Sequence, residues 1–453
     1  MTQRIVIIGG GAAGIDVLEF LLRAQSVHET AEITLIKREH EGFFSSCGLP
    51  FALQGLYELN ELVLFEPEFY RAKGVDFRTG TEVTSINIPG NCVRLATGEE
   101  LPYDDLVIAT GSRPFMPPIS GTDCEGVFTL WNREDGERLT AVLAGGEPKN
   151  AVVIGGGMIG LQAAVAFARK GLKITVVECC PSLLPAILDP DVASVVQKWL
   201  RNELTFVLGR SVRALEGAER VAAVRINEAA IAADLVLIAT GMRPNVELAR
   251  TAGLALGACG GIQVDHSLRV MRAGSYLKHV YALGDCIEVI DAVTKRSRLS
   301  QLASTALIQA RVVTSNLLGG TATYAGCLSP TVASIAGMQV GSVGVTTAYA
   351  RSCGMNVTAG TAIKYTKARF FPSRKLIVAK LLCDSNSGRL IGAQLVSEEG
   401  VAERINELTL AIKAGVTATA IIMRERCFEP SLTMVEDVLV DAAMKARNRE
   451  ITP

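Results

Sequence analysis

Short apolar runs alternate with glycine turns and amphipathic stretches, and the order repeats. Arg4-Ile5-Val6-Ile7-Ile8 is too short and too rich in β-branched residues for a helix, which predicts a buried strand. It meets Gly9-Gly10-Gly11-Ala12-Ala13-Gly14, an amphipathic stretch from Ile15 to Ala24, and a second run, Ile33-Thr34-Leu35-Ile36. Later, Ala151-Val152-Val153-Ile154 leads into Gly155-Gly156-Gly157-Met158-Ile159-Gly160, a helical pattern to about Lys170, and Ile174-Thr175-Val176-Val177 ending at Glu178. Each is a βαβ unit of about thirty residues.

Each unit has a later echo. Leu106-Val107-Ile108 and Leu235-Val236-Leu237-Ile238 both run into Ala-Thr-Gly, at Ala109-Thr110-Gly111 and Ala239-Thr240-Gly241. The repetition predicts two dinucleotide-binding domains, the second inserted into the first. The expected bounds are 1–118 with 250–325 for the first and 119–249 for the second. Val280-Tyr281-Ala282-Leu283-Gly284-Asp285 reads as the first domain's last strand. From about residue 326 the texture changes: Lys375–Leu382 reads as an antiparallel strand, and helical patterns lie near 400–415 and 433–446. The expected fold class is therefore α/β, with two Rossmann-like domains and a C-terminal α+β domain over 326–453.

Composition narrows the function. The chain has 453 residues, 49% hydrophobic and 20% charged, with a net charge of −1. There is no basic block for nucleic acid or an anionic membrane, and no apolar run long enough to span a bilayer. The chain enters its first strand with no room for a signal peptide, so a cytoplasmic protein is expected. The eleven cysteines are odd in number, scattered and without a CxxC pair, which argues against a disulfide scaffold and a metal site.

The glycine loops carry the first chemistry. In such a unit one glycine makes the tight turn, one lets the backbone approach a pyrophosphate, and one lets helix and strand pack closely. The candidate cofactor-binding residues are Gly9, Gly11, Ala12, Ala13 and Gly14 in the first loop, and Gly155, Gly157, Met158, Ile159 and Gly160 in the second. Glu178 stands where a carboxylate would bond adenosine ribose hydroxyls, and no arginine follows it; this predicts NADH over NADPH. The first unit differs, with Lys37-Arg38-Glu39 at the comparable strand end, so Lys37 and Arg38 are its candidates for the ribose region.

With both Ala-Thr-Gly ends, Ala282–Asp285 and Cys47 in view, the chain resembles the pyridine nucleotide–disulfide oxidoreductases over essentially its whole length. Phe43-Phe44-Ser45-Ser46-Cys47-Gly48-Leu49-Pro50 resembles the single-cysteine branch: coenzyme A disulfide reductases, NADH oxidases, NADH peroxidases and persulfide or polysulfide reductases. The resemblance implies FAD in the N-terminal domain and NAD(P)H in the inserted one. Ala109, Thr110, Gly111, Ser46, Gly284 and Asp285 would serve FAD, with Asp285 on the ribityl chain, and Ala239, Thr240 and Gly241 the nicotinamide nucleotide. It also implies a homodimer in which the C-terminal domain completes the partner's active site.

Cys47 is the expected redox residue. The position five after it is Ala52, so a CxxxxC disulfide is excluded. A helix start favours a thiolate, and Gly48 and Pro50 suit a turn entering a helix. The branch pattern also breaks in places. Ala12 stands where peroxidases and oxidases carry a histidine, which favours a thiol substrate. Phe370 and Cys427 stand where coenzyme A disulfide reductases have tyrosines. Glu429 is the candidate acid or base, with Glu436 nearby, and Met158 and Gln162 replace the usual residues at the nicotinamide contact. The expected function is reduction of a small disulfide, persulfide or polysulfide by NADH. The alternatives are electron transfer to an iron–sulfur carrier such as a ferredoxin, and NADH oxidase.

Overall fold

Six strands gather around the first apolar run. In order across the sheet they are Arg269–Arg272, Ser275–Ala282, Asp105–Ile108, Gln3–Ile8, Ala31–Ile36 and Asp76–Arg78. All but the outermost pair run parallel. A parallel sheet is covered on both faces, so its central strands are apolar throughout; Ile5, Ile7, Leu106, Val107 and Ile108 are fully buried. The helices Ala12–Arg23 and Ala303–Leu317 share a core with the sheet. The structure is a computed structural model describing residues 2–24 and 31–448; residues 1, 25–30 and 449–453 of the expected domains lie outside it.

The second unit repeats the plan with five parallel strands in the order Val127–Phe128, Leu235–Ile238, Asn150–Ile154, Lys173–Glu178 and Thr205–Leu208. The chain enters and leaves this unit through two short antiparallel strands, Ser112–Pro114 and Met242–Pro244, with Arg113 opposite Arg243. The first core is rejoined at once, by Val246 and Ala249.

The C-terminal sheet is antiparallel, ordered Thr331–Ile335, Met338–Gly344, Leu390–Ser397, Leu376–Asp384 and Val357–Tyr365. Its edge strand Thr331–Ile335 alternates buried and exposed residues, the period of a strand with one covered face. Gly360 lets the last helix, Val438–Asn448, lie directly on the sheet, since a Cβ there would come within 2.1 Å of the Ala442 carbonyl oxygen. That helix starts later than the expected 433. Asp437 fixes the start: its buried carboxylate accepts the Leu439 amide at 3.0 Å and is paired with Arg404 at 2.8 Å. An acceptor at a helix start satisfies an otherwise orphaned amide.

The second unit and the C-terminal sheet share one apolar core, in which Leu161 and Phe167 join Ile335 and Val340. Leu53, from the helix that follows Cys47, is buried in that same core.

Candidate active site

The two glycine loops have one geometry. Gly9 and Gly155 have φ of +112° and +115°, a region that L side chains rarely adopt. A Cβ on either would strike a backbone carbonyl of the Ala-Thr-Gly end, Ala109 at 2.1 Å and Ala239 at 2.3 Å. The closing glycines press the helices onto the loops: a Cβ at Gly14 would lie 2.0 Å from the Gly9 carbonyl oxygen, and one at Gly160 2.1 Å from that of Gly155. Gly11 and Gly157, by contrast, face open space within 4 Å. They cap the helices Ala12–Arg23 and Met158–Arg169, neither of which has a side-chain cap or an acidic residue in its first turn. Each loop thus presents a helix start to an open cradle, the arrangement that receives a pyrophosphate. The donor set fits two dinucleotides.

The flanks differ. In the second unit the buried Glu178 carboxylate accepts from the Gly156 amide at 2.7 Å and the Cys180 amide at 2.8 Å, which fixes it beside the cradle. Burial, then hydrogen bonding to Glu178, pushes the neighbouring Cys179 thiol up to about 11. In the first unit the stem of Lys37 lies under Gly10, and its ammonium donates to the Gly42 carbonyl at 2.7 Å, with the Glu41 carboxylate at 3.5 Å. Lys37 therefore joins the strand end to the segment that leads to Cys47. Arg38 is exposed and faces Glu39 at 3.8 Å. On the other side of the first loop, Gly284 packs against Ala13, and Asp285 accepts from the Ser112 hydroxyl at 2.8 Å. Burial pushes the Asp285 carboxyl up against that bond.

Thr110 and Thr240 use their hydroxyls on the chain crossing. Thr110 donates to the Asn245 carbonyl at 2.7 Å and Thr240 to the Phe115 carbonyl at 2.6 Å. Gly111 and Gly241, both at positive φ, close the same crossing, their carbonyls accepting from the Asn245 and Phe115 amides at 2.9 Å.

Cys47 is exposed in a short 3-10 turn, Ser46–Gly48, that runs into the helix Leu49–Leu53 with Pro50 in its first turn. The exposed Ser46 precedes it. The turn is held from beneath. The Ser45 amide donates to Leu62 at 2.8 Å, and a Cβ on Gly48 would meet Leu62 at 2.2 Å. The Tyr57 hydroxyl donates to the Gly48 carbonyl at 2.9 Å. Burial and then the proximity of Cys47 raise the Tyr57 phenol above its usual range. Sequence reading missed Tyr57, because nothing in the loop pattern marks a phenol ten residues downstream as a neighbour of the sulfur.

Met158 lies at the second loop and lines a cavity of about 140 Å³ where all three units meet, with Ile187, Arg298, Ser300, Gln301 and Thr346. The buried Gln301 Nε2 is without a hydrogen-bond partner there, a donor left for a ligand. Gln162 instead ties its helix to the C-terminal sheet, donating to the Ser334 carbonyl at 3.1 Å. Ile159, next to Met158, is exposed. Glu429 is exposed on a C-terminal turn, where its carboxylate accepts from the Ser431 amide at 2.9 Å and from the Ser431 hydroxyl. Phe370 and Cys427 are exposed as well.

Two dinucleotide cradles joined by a paired crossing, with an exposed cysteine turn on the first, define a two-nucleotide redox enzyme. The description "Pyridine nucleotide-disulphide oxidoreductase" matches residues 3–310, and that family's dimerisation domain matches residues 331–438. The chain belongs to this family and is an FAD-dependent NAD(P)H oxidoreductase. It is 34% identical to an NADH oxidase of Methanocaldococcus jannaschii over 98% of both chains. It is 28% identical to an NAD(P)H coenzyme A polysulfide/persulfide reductase of Pyrococcus horikoshii over 97% of both. Among solved structures it is similar to a NAD-dependent persulfide reductase from A. fulgidus, with a TM-score of 0.93 and 32% identity over 99% of this chain and 83% of that one. No helix among the described residues is long and apolar enough to cross a membrane.

Proposed function

We propose that the chain uses NADH to reduce small disulfides, persulfides or polysulfides, coenzyme A disulfide being the reference substrate, through Cys47. The observation that carries this reading is a single exposed sulfur on a turn clamped by Ser45, Gly48 and Tyr57. All eleven cysteines are free, and Ala52 leaves Cys47 without a resolving partner in its own helix. The sulfur bond must then form with the substrate. The Cys47 thiolate attacks one sulfur of R–S–S–R, forming a mixed disulfide and expelling one thiolate. FAD, which the Gly9–Gly14 loop and Asp285 would hold, would supply the two electrons of the NADH hydride to that mixed disulfide. Its S–S bond breaks, the Cys47 thiolate returns, and the second thiolate leaves. The sum is NADH, one proton and one disulfide giving NAD⁺ and two thiols.

Glu178 underlies the preference for NADH. A buried carboxylate beside the second cradle accepts ribose hydroxyls and repels a 2′-phosphate. Ala12 at the first loop supplies no proton, which favours sulfur over peroxide as the acceptor. The C-terminal domain exposes Ile363, Phe370, Leu432 and Val435, a surface suited to a homodimer. In that dimer Glu429 is the proposed proton donor to the departing thiolate. Free cysteines throughout fit a reducing compartment such as the cytoplasm. The M. jannaschii relative favours a second reading, NADH oxidase, with oxygen as acceptor.

Cys47→Ser tests the proposal. NADH-driven reduction of a quinone should persist and coenzyme A disulfide turnover should vanish. Disulfide turnover that survives in the variant removes Cys47 from the mechanism.

A further inference from the structure

Three side chains of ligand type stand together where the second sheet ends. Glu178 closes the strand Lys173–Glu178, and Cys179 and Cys180 follow it in the turn. The Cys179 sulfur lies 3.3 Å from Glu178 Oε1, and the donor atoms of all three residues lie within 4.8 Å of one another. Glu178 is buried, Cys180 half-buried and Cys179 exposed, so the group has a fixed floor and an open side. Neither thiol is in a disulfide.

Two sulfurs and one carboxylate are a donor set for a soft or borderline divalent cation. Tetrahedral zinc with sulfur bonds of about 2.3 Å holds its ligands roughly 3.8 Å apart. The Cys179 sulfur and Glu178 Oε1, at 3.3 Å, already lie near that spacing, and the remaining donor pairs, all within 4.8 Å, need to close by at most about 1 Å, which rotation about the cysteine torsions supplies. The backbone is already set, because the Cys180 amide donates to Glu178 Oε1 and the Gly209 amide to the Cys180 carbonyl.

We propose that Glu178, Cys179 and Cys180 form a site for a thiophilic divalent cation, Zn²⁺ or Cd²⁺, and that filling it shuts NADH out. The second half rests on Glu178 being the ribose acceptor. On binding, two metal–sulfur bonds form and the two thiol protons leave to solvent. Glu178 Oε1 exchanges the Cys179 S–H for the metal, and water completes the tetrahedron; nothing is oxidised or reduced. The carboxylate oxygen that would accept the ribose is then committed to the metal, and the cation occupies the turn beside the cradle. The second unit thereby gains a metal-sensing brake on the nucleotide step that leaves Cys47 untouched.

The test uses the FAD-loaded enzyme, a quinone as acceptor so that Cys47 is not needed, and the Cys179→Ser/Cys180→Ser variant. Equilibrium dialysis against Cd²⁺ should show one more tightly bound ion per chain in the wild type than in the variant, with two more protons released. Wild-type KM for NADH should rise about tenfold at nine times the Kd for Cd²⁺, with kcat unchanged. The variant's KM should stay flat. Equal Cd²⁺ binding by the two proteins overturns the site. An extra ion without a change in KM overturns the exclusion of NADH. Glu178→Gln, assayed without metal, separates the two ideas: an unchanged KM for NADH there sinks the ribose reading alone and leaves the binding experiment to judge the metal site.

Discussion

Thr110 and Asn245 hold each other twice: the threonine hydroxyl donates to the Asn245 carbonyl at 2.7 Å, and the asparagine amide donates back to the Thr110 carbonyl at 3.0 Å. The bonds join the point where the chain leaves the first sheet to the point where it returns. Asn245→Ala removes one bond and weakens the setting of the other, both part-buried. We expect a loss of about 1–2 kcal/mol, read from urea unfolding. A midpoint unchanged from the wild type would show that the crossing is held by its backbone pairing alone.

Gly11 and Gly14 should fail differently. Gly11 has φ of −81° and nothing within 4 Å of its absent Cβ, so Gly11→Ala should fold normally yet place a methyl in the cradle. FAD retention should fall while apoprotein stability stays level. Gly14→Ala forces a methyl within 2.0 Å of the Gly9 carbonyl oxygen and should destabilise the apoprotein itself, by about 1–3 kcal/mol. Identical melting curves for the two apoproteins would contradict this division.

Tyr57→Phe deletes the hydroxyl bonded to the Gly48 carbonyl while keeping the ring. The expected cost is about 1 kcal/mol of stability. Disulfide turnover should slow because the sulfur-bearing turn loosens, while KM for NADH holds steady. A change confined to the nucleotide parameters would refute Tyr57 as a positioning residue for Cys47.

Asp16, on the helix Ala12–Arg23, has its carboxyl raised to about 6, first by burial and then by Glu19. The unfolded chain releases this proton near the ordinary aspartate value, so the folded form holds more protons between about pH 4 and 6. Stability from this group is therefore greatest below that window and falls as pH rises through it. Asp16→Asn should stabilise the protein by roughly 1–2 kcal/mol at pH 7.5, after discounting for partial exposure, and by little at pH 4. A gain independent of pH would rule out ionisation as its source.

The glycine loops were legible in the sequence because their requirement is local: a positive φ at Gly9 and Gly155, and no room for a methyl at Gly14 and Gly160. The apolar strands were legible because parallel sheets bury both faces. The turn that carries Cys47 into a helix was legible through Gly48 and Pro50. What the sequence hid depends on distant partners. Thr110 finds Asn245 across 135 positions, and Thr240 finds Phe115 across 125. Gln162 reaches Ser334 across 172. The bond from the Lys37 ammonium to the Gly42 carbonyl was hidden too, since it is set by the loop's path.

The burial of Leu53 among Leu161, Phe167 and Ile335 has a practical corollary. The segment carrying Cys47 is numbered with one nucleotide unit but is anchored in the other, by a side chain whose burial is worth about 1.5–3 kcal/mol. Arg169 reinforces the anchor, donating to Gln54 at 2.7 Å. A fragment excised at the paired crossing would keep the cysteine and lose its foundation. Sulfur reactivity measured on such a half-molecule would describe an unmoored peptide, not the enzyme.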